Sequence, residues 1–249
     1  HSHPEPAPGL AKVMKRARLA LLISGRGSNM AAILAAAGPD YPAEPVLVLS
    51  NRADAAGLAT AAAHGVPTAV VESRAFKGDR ARFEAALEAE LSKHGVEIIA
   101  LAGFMRVLTE GFVQRWEGRL INIHPSLLPA FPGLDTHARA LAAGVRFHGC
   151  TVHLVTAGVD EGPILAQAAV PVLPGDTEAS LAARVLVEEH RLYPAALSWL
   201  AAGRVRLEAG RAIISDAEYQ TDSLLNPLPR GAGLSKPVAI GERAKEGHG

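Results

Sequence analysis

The run Arg18-Leu19-Ala20-Leu21-Leu22-Ile23-Ser24 stops at Gly25-Arg26-Gly27-Ser28-Asn29, and an alanine-rich segment from Met30 to Ala37 follows. A short unbroken apolar run fits a strand buried on both faces, as in a parallel sheet. The segment after it, closed by Gly38-Pro39, fits a helix. Strand, Gly-rich turn and helix open an α/β fold. Such a turn aims free backbone N–H groups at one point, which suits a phosphate. Two readings of the turn stand: a monophosphate site, or a tight connection with Ser28 or Asn29 capping the helix. Gly25 and Gly27 match the first two glycines of the dinucleotide fingerprint, but Met30 takes the third place. Ser28-Asn29 does not supply the Lys-Ser/Thr pair of a P-loop.

The alternation continues outward from this unit. Strands are expected at 45–51, 68–71, 96–102 and 120–124, and helices at 53–64, 79–94 and 109–116. Phe83, Leu87 and Leu91 fall at helical spacing and mark the core side of their helix. His64 and His94 each precede a glycine at a helix end, where an imidazole complements the helix dipole. Thr109 is the expected N-cap of the helix it precedes. This order predicts a mainly parallel twisted sheet with helices on both faces, a Rossmann-like α/β fold. Ligands of such sheets bind beyond the carboxyl ends of the strands.

Antiparallel additions follow near the C-terminus: strands at 150–156 and 164–172, and a small hairpin, 204–207 with 212–214, around Gly210. Between them a long helix starts at Asp176-Thr177-Glu178 and ends near Ala202, with Pro194 predicting a kink or break. A single catalytic domain is expected over 17–215, its first half (17–116) carrying the phosphate turn and its second (117–215) the chemistry. Residues 1–16 read as a flexible, tag-like extension and not a secretory signal. Residues 216–249, rich in Pro, Gly and charge, read as a flexible tail.

Composition narrows the function. Twenty-five basic residues balance 25 acidic ones, so no general nucleic-acid or membrane-binding surface is implied. One cysteine allows no internal disulfide, and Cys150 beside Gly149 reads as a small core residue. No run reaches the ~20 apolar residues of a membrane helix. A cytoplasmic monomer or homodimer acting on small molecules is the default expectation.

The chemistry concentrates at Leu120-Ile121-Asn122-Ile123-His124-Pro125-Ser126. In a strand Asn122 and His124 share one face, with Ile121 and Ile123 packing on the other. Asp160 stands in a Gly-rich loop farther on. Were the three to meet, the amide and imidazole could stabilise an oxyanion on a carbonyl while the carboxylate favours the imidazolium. The imidazole could also move a proton from an attacking amine. Ser126 lacks the G-x-S-x-G elbow of a nucleophile, so direct acyl transfer between two bound substrates is implied. Two other readings remain open. Either the three are hydrogen-bonded structural residues, or His124 and Asp160 bind metal with His137, His148 and His153, although no pair has a recognised zinc spacing.

The stretch Asn122-Ile123-His124-Pro125-Ser126-Leu127-Leu128-Pro129 resembles the signature of the formyltetrahydrofolate-dependent formyltransferases. The surrounding matches are Ile23 to Asn29, Ser50-Asn51-Arg52-Ala53-Asp54-Ala55, Leu101 to Arg106, and Gly149 to His153 leading to Asp160-Glu161-Gly162-Pro163. They are similar to the members that act on glycinamide ribonucleotide in purine synthesis, and the likeness runs from about Ala17 to Ile214. The resemblance implies transfer of a formyl group from 10-formyltetrahydrofolate, used as a substrate without a metal. It implies Asn122, His124 and Asp160 as catalytic residues, with His124 the proton donor. Gly27, Ser28 and Asn29 would hold the ribonucleotide phosphate, and Glu189 its glycinamide end. Arg80, Met105, Arg106, Val107, Leu108 and Asn122 would hold the folate, with 17–116 expected as the ribonucleotide phosphate-binding half and 117–215 as the folate and catalytic half. Two positions depart from the pattern: Cys150 replaces a small hydroxyl residue, and Leu186 a polar residue near the ribonucleotide.

Rival readings are a methionyl-tRNA formyltransferase or a formyltetrahydrofolate hydrolase, expected to carry a further C-terminal or N-terminal domain respectively. Outside this chemistry stand an oxidoreductase and a non-catalytic nucleotide-binding module. Asn51 and Arg52 stand where the oxidoreductase would place its acidic residue. The module leaves Asn122, His124 and Asp160 without a task.

Overall fold

The structure, a computed structural model, describes residues 15–231. Seven strands form one sheet in the order β3-β2-β1-β4-β5-β6-β7. They are β1 (Ala17–Ile23), β2 (Ala43–Ser50), β3 (Thr68–Val70), β4 (Ile98–Leu101), β5 (Leu120–His124), β6 (Phe147–Leu154) and β7 (Ile164–Pro171). The first five run parallel, and β6 and β7 add antiparallel strands at one edge. The chain winds from β1 to β3 in one direction and resumes at β4 on the other side of β1, so the sheet switches direction between β1 and β4. That is where a doubly wound sheet opens a crevice.

Strand alternation builds two cores. Leu19, Leu21 and Ile23 of β1 and Ile121 and Ile123 of β5 face α1 (Ser28–Ala36), α2 (Gly57–Ala63), α5 (Thr136–Ala143) and α6 (Glu178–Ala201). Ala20, Leu22 and Leu120 face α3 (Arg80–Lys93) and α4 (Glu110–Arg115). Phe83, Leu87 and Leu91 are the buried stripe of α3, and each stabilises the fold by roughly 2 kcal/mol. Asp79 caps that helix through Arg82 N–H, and Thr109 caps α4 through Phe112 N–H. His64 and His94 close their helices, each with Nδ1 2.9 Å from the carbonyl four residues back.

Several boundaries differ from the sequence expectation. The helix expected from residue 53 begins at Gly57, because Arg52 and Asp54 pair in a turn and Gly57 N–H donates to Gly25 O. Pro194 does not break α6, which runs through it; the proline is buried, and Tyr41 Oη donates to its carbonyl at 2.6 Å. A lost backbone donor is tolerated where packing holds both sides of the helix. β6 begins at Phe147, three residues early, and ends at Leu154. The terminal hairpin is β8 (Val205–Glu208) and β9 (Arg211–Ile214).

Two residues of the expected terminal segments make hydrogen bonds to the domain. Arg16 is tied down by its guanidinium, which donates to the carbonyls of Gly38, Tyr41 and Ala43. Asn226 Nδ2 donates to Arg146 O and Val172 O, so this part of the expected tail is fastened beside β6 and β7. The rest of the expected extension and tail, 1–14 and 232–249, lies outside the described residues.

Candidate active site

β5 delivers its polar residues to the carboxyl edge of the sheet. Antiparallel pairing sets Asn122 against His153 and His124 against Thr151. His124 is buried, and its Nε2 lies 2.9 Å from Phe131 O. Its Nδ1 lies 3.5 Å from Asp160 Oδ1. Both ring nitrogens face oxygens. The imidazolium satisfies both contacts, whereas the neutral ring has one proton for two acceptors. Asn122 is half-buried, and its amide makes no hydrogen bond among the described residues. A donor so placed beside an imidazole suits an oxyanion.

The loop after β5 is held from several sides. Thr151 Oγ1 donates to Ser126 O and accepts from Leu128 N–H. Gln167 Nε2 donates to Leu128 O, and Thr136 Oγ1 to Pro125 O. Ser126 is fully buried, and its hydroxyl faces the carbonyls of Ala130 and Phe131 at 2.6 and 3.0 Å. It supports the loop that holds His124 and is not placed as a nucleophile.

Asp160 arrives on a loop that doubles back from the end of β6. The residue sits in the left-handed region (φ 53°), and its Oδ2 accepts from Gly133 N–H at 2.9 Å. The loop's return passes against β6 at Gly162, where an added Cβ would lie 1.5 Å from Leu154 O. No side chain fits there. Asp160 thus bridges His124 and the 131–135 loop.

The Gly-rich turn takes the tight form. Gly27 is the N-cap of α1 with φ 66°, and no side chain caps the helix, so capping by Ser28 or Asn29 is not observed. Asn29 reaches across to α6, where Nδ2 donates to Glu189 Oε1 at 3.1 Å. Its Oδ1 is buried without a partner. Glu189 is buried, and burial raises its pKa, partly opposed by the Asn29 bond and by the charge of His124. Leu186, one turn before Glu189 on α6, is half-buried.

Beyond β4 the chain exposes Met105, Arg106 and Val107, while Leu108 packs on the α3–α4 core. Thr109 N–H and hydroxyl both bond the buried carboxylate of Glu84, which anchors the end of this loop. Its start is fixed by Ser24, whose Oγ accepts from Met105 N–H at 2.8 Å and donates to Asn51 Oδ1. Arg80, the first residue of α3, borders a small cleft with Phe83 and Arg106. The structure therefore brings Asn122, His124 and Asp160 together and pairs Asn29 with Glu189. Arg80 and residues 105–108 form a separate wall beyond β4.

The formyl transferase family profile matches residues 17–197, most of the chain and every candidate site residue named above. The chain belongs to the formyl transferase family. It is 44% identical to the phosphoribosylglycinamide formyltransferase of Escherichia coli (strain K12) over 195 residues, 78% of this chain and 92% of that protein. It is 47% identical over 194 residues to the human trifunctional purine biosynthetic protein adenosine-3, 78% of this chain but 19% of that much longer protein. The crystal structure of glycinamide ribonucleotide transformylase 1 from Symbiobacterium toebii superposes with a TM-score of 0.77 at 47% identity, covering 80% of this chain and 94% of that one.

In this formyl transferase the other histidines have their own surroundings. His137 Nδ1 lies 3.0 Å from His148 Nε2, and burial lowers the pKa of both, His148 to about 4. His153 Nδ1 lies 2.9 Å from Leu154 O, and burial lowers its pKa too. Among the described residues no group of three or more His, Cys, Asp or Glu side chains is disposed to hold a metal ion. Cys150 is fully buried, and burial pushes its thiol up to about 12, so it is no nucleophile. Nor does any helix among the described residues have the length and apolarity to cross a membrane.

Sequence reasoning missed the backbone partners of the site, the Phe131 carbonyl and the Gly133 N–H. It also missed the supporting side chains Ser24, Asn51, Thr151 and Gln167. The close-packed glycine beside Asp160 was the one available signal for the loop's path.

Proposed function

We propose that this chain transfers the formyl group of 10-formyltetrahydrofolate to the amine of 5-phosphoribosylglycinamide, a step of purine biosynthesis. The observation that carries the reading is the contact of His124 with Asp160 beside the unengaged amide of Asn122. Similarity over 92% of a phosphoribosylglycinamide formyltransferase supports the choice of substrate. On this reading the catalytic unit is 17–215, and both halves contribute to each substrate's site.

The ribonucleotide phosphate lies against the backbone N–H groups of Gly27, Ser28 and Asn29, at the head of α1. Glu189, fixed by the Asn29 amide, is an acceptor suited to the glycinamide N–H groups. The folate lies along the 105–108 loop, with Met105 and Val107 as apolar walls and the main chain as hydrogen-bonding partner.

The amine nitrogen attacks the formyl carbon directly and forms a tetrahedral intermediate. Asn122 and the protonated His124 hold its oxyanion, His124 exchanging the Phe131 carbonyl for the substrate oxygen. Asp160 keeps the ring oriented and stabilises its charge. Collapse breaks the bond from the formyl carbon to N10 of the folate; His124 gives its proton to N10 and regains one from the attacking amine.

The test is to follow loss of the formyl donor by absorbance with and without the ribonucleotide. Loss only when the ribonucleotide is present is expected. Loss without it points to a hydrolase, and no loss in either case overturns the proposal.

A further inference from the structure

Four polar side chains share one face of the β5–β6 pair: Asn122 and His124 from β5, Thr151 and His153 from β6. Their neighbours Ile121, Ile123, Cys150 and Val152 turn to the other face and join the core. Three of the four have a task. His124 meets Asp160 and the Phe131 carbonyl, Thr151 holds the loop after β5, and Asn122 is the oxyanion donor of the reading above. His153 has none, although it is 2% exposed and stands directly across from Asn122.

The protonation of the His153 ring follows from its contacts. Nδ1 lies 2.9 Å from Leu154 O, and a carbonyl only accepts, so Nδ1 carries the proton. Burial lowers the pKa and keeps the ring neutral. Nε2 is therefore a lone-pair acceptor, buried and without a hydrogen-bond partner among the described residues. The carboxylate of Asp160 cannot serve it, because both are acceptors. The return of the Asp160 loop passes beside the ring, where a Cβ added at Gly162 would lie 3.3 Å from Nδ1. The acceptor is thus held in place.

An amide beside a reacting carbonyl has two orientations, related by a flip that exchanges its oxygen for its NH2 group. Only one presents an N–H to an oxyanion; the other presents a second acceptor and repels it. Directly opposed residues of an antiparallel pair hold their Cβ atoms roughly 5 Å apart, within reach of an imidazole and an amide. The Asn122 amide is itself unengaged among the described residues. We propose that His153 is a positioning residue for Asn122: its Nε2 accepts one N–H of the amide when substrate binds and leaves the other for the formyl oxygen. Catalytic hydrogen bonds commonly tighten in this way only in the substrate complex. The inference rests on Asn122 as oxyanion donor and goes further in assigning what selects the amide's orientation.

The experiment uses the full chain and two substitutions that divide the ring. His153→Asn keeps a donor near the place of Nδ1 and removes the acceptor. His153→Gln puts an amide oxygen near the place of Nε2. Steady-state kinetics should give a kcat about ten-fold lower for His153→Asn, with both KM values within about two-fold of native. His153→Gln should recover most of that rate. In the background of Asn122→Ala, itself lower by about 10²-fold, His153→Asn should have no further effect. An unchanged kcat in His153→Asn, equal losses in the two His153 variants, or losses that multiply in the double variant would overturn the positioning role. The native protein supplies a measurement that does not depend on how any variant folds. Adding the formylated ribonucleotide should move the nitrogen-15 resonance of His153 Nε2 upfield, as a hydrogen bond to its lone pair does, and an unmoved resonance would reject the proposal. A native kcat in Asn122→Ala would count against the oxyanion reading itself and take the inference with it.

Discussion

Asp160 stands 3.5 Å from His124 Nδ1 through one carboxylate oxygen and takes Gly133 N–H at 2.9 Å through the other. One side chain thus orients the imidazole and fastens the loop whose Phe131 carbonyl meets the opposite ring nitrogen. Asp160→Asn keeps a carbonyl oxygen for Gly133 and removes the charge facing His124. Its kcat should fall by about two orders of magnitude with ribonucleotide binding unchanged. Steady-state kinetics with a separate binding titration checks this, and an unchanged kcat would show that the contact is structural only.

Glu189 sets stability against function. Burial raises its pKa, so the folded protein holds this proton more tightly than the unfolded chain does. Stability from this group therefore falls as pH rises from the ordinary carboxylate range through the raised folded value, and then levels off. Glu189→Gln should remove that loss, giving a protein more stable than the native one at neutral pH. It should also raise KM for the ribonucleotide by about ten-fold or more. Urea midpoints at acid and neutral pH, beside the kinetics, test both halves.

His148 works in the opposite sense. Its pKa is lowered to about 4, first by burial and then by the neighbouring histidines. The stability it leaves intact above the ordinary histidine value of ~6.5 is lost as pH falls from there toward 4. The loss should be on the order of 2 kcal/mol, and His148→Gln should flatten this part of the stability profile. An unchanged slope in the variant would assign the acid sensitivity to other groups.

Gly162→Ala puts a methyl group where Leu154 O already lies. The loop must move, and Asp160 moves with it. A destabilisation of about 2–4 kcal/mol is expected, with a loss of kcat exceeding that of Asp160→Asn. Chemical denaturation and kinetics on the same preparation measure the two together.

Much of this fold was legible because the responsible patterns are local. The apolar run 19–23 had to be a doubly buried strand, and the stripe Phe83, Leu87, Leu91 had to face a core. The site was partly legible for the same reason. Strand alternation alone separated Asn122 and His124 from Ile121 and Ile123. What escaped depends on contacts distant in the chain. The late start of α2 reflects Gly57 packed on the Gly25 turn, with an added Cβ 2.5 Å from Ile23 Cδ1. Phe131 O and Gly133 N–H are backbone groups, and a side-chain pattern carries no mark of them. The bond from Asn29 to Glu189 spans 160 residues, and only the folded sheet brings its ends together.

The central claim is that His124 performs the proton transfer of the formyl step. The most direct measurement is the single-turnover rate of His124→Ala with both substrates bound, beside its dissociation constant for the ribonucleotide. The account predicts a rate lower by about 10³-fold and a dissociation constant within about two-fold of the native value. A near-native rate would contradict it.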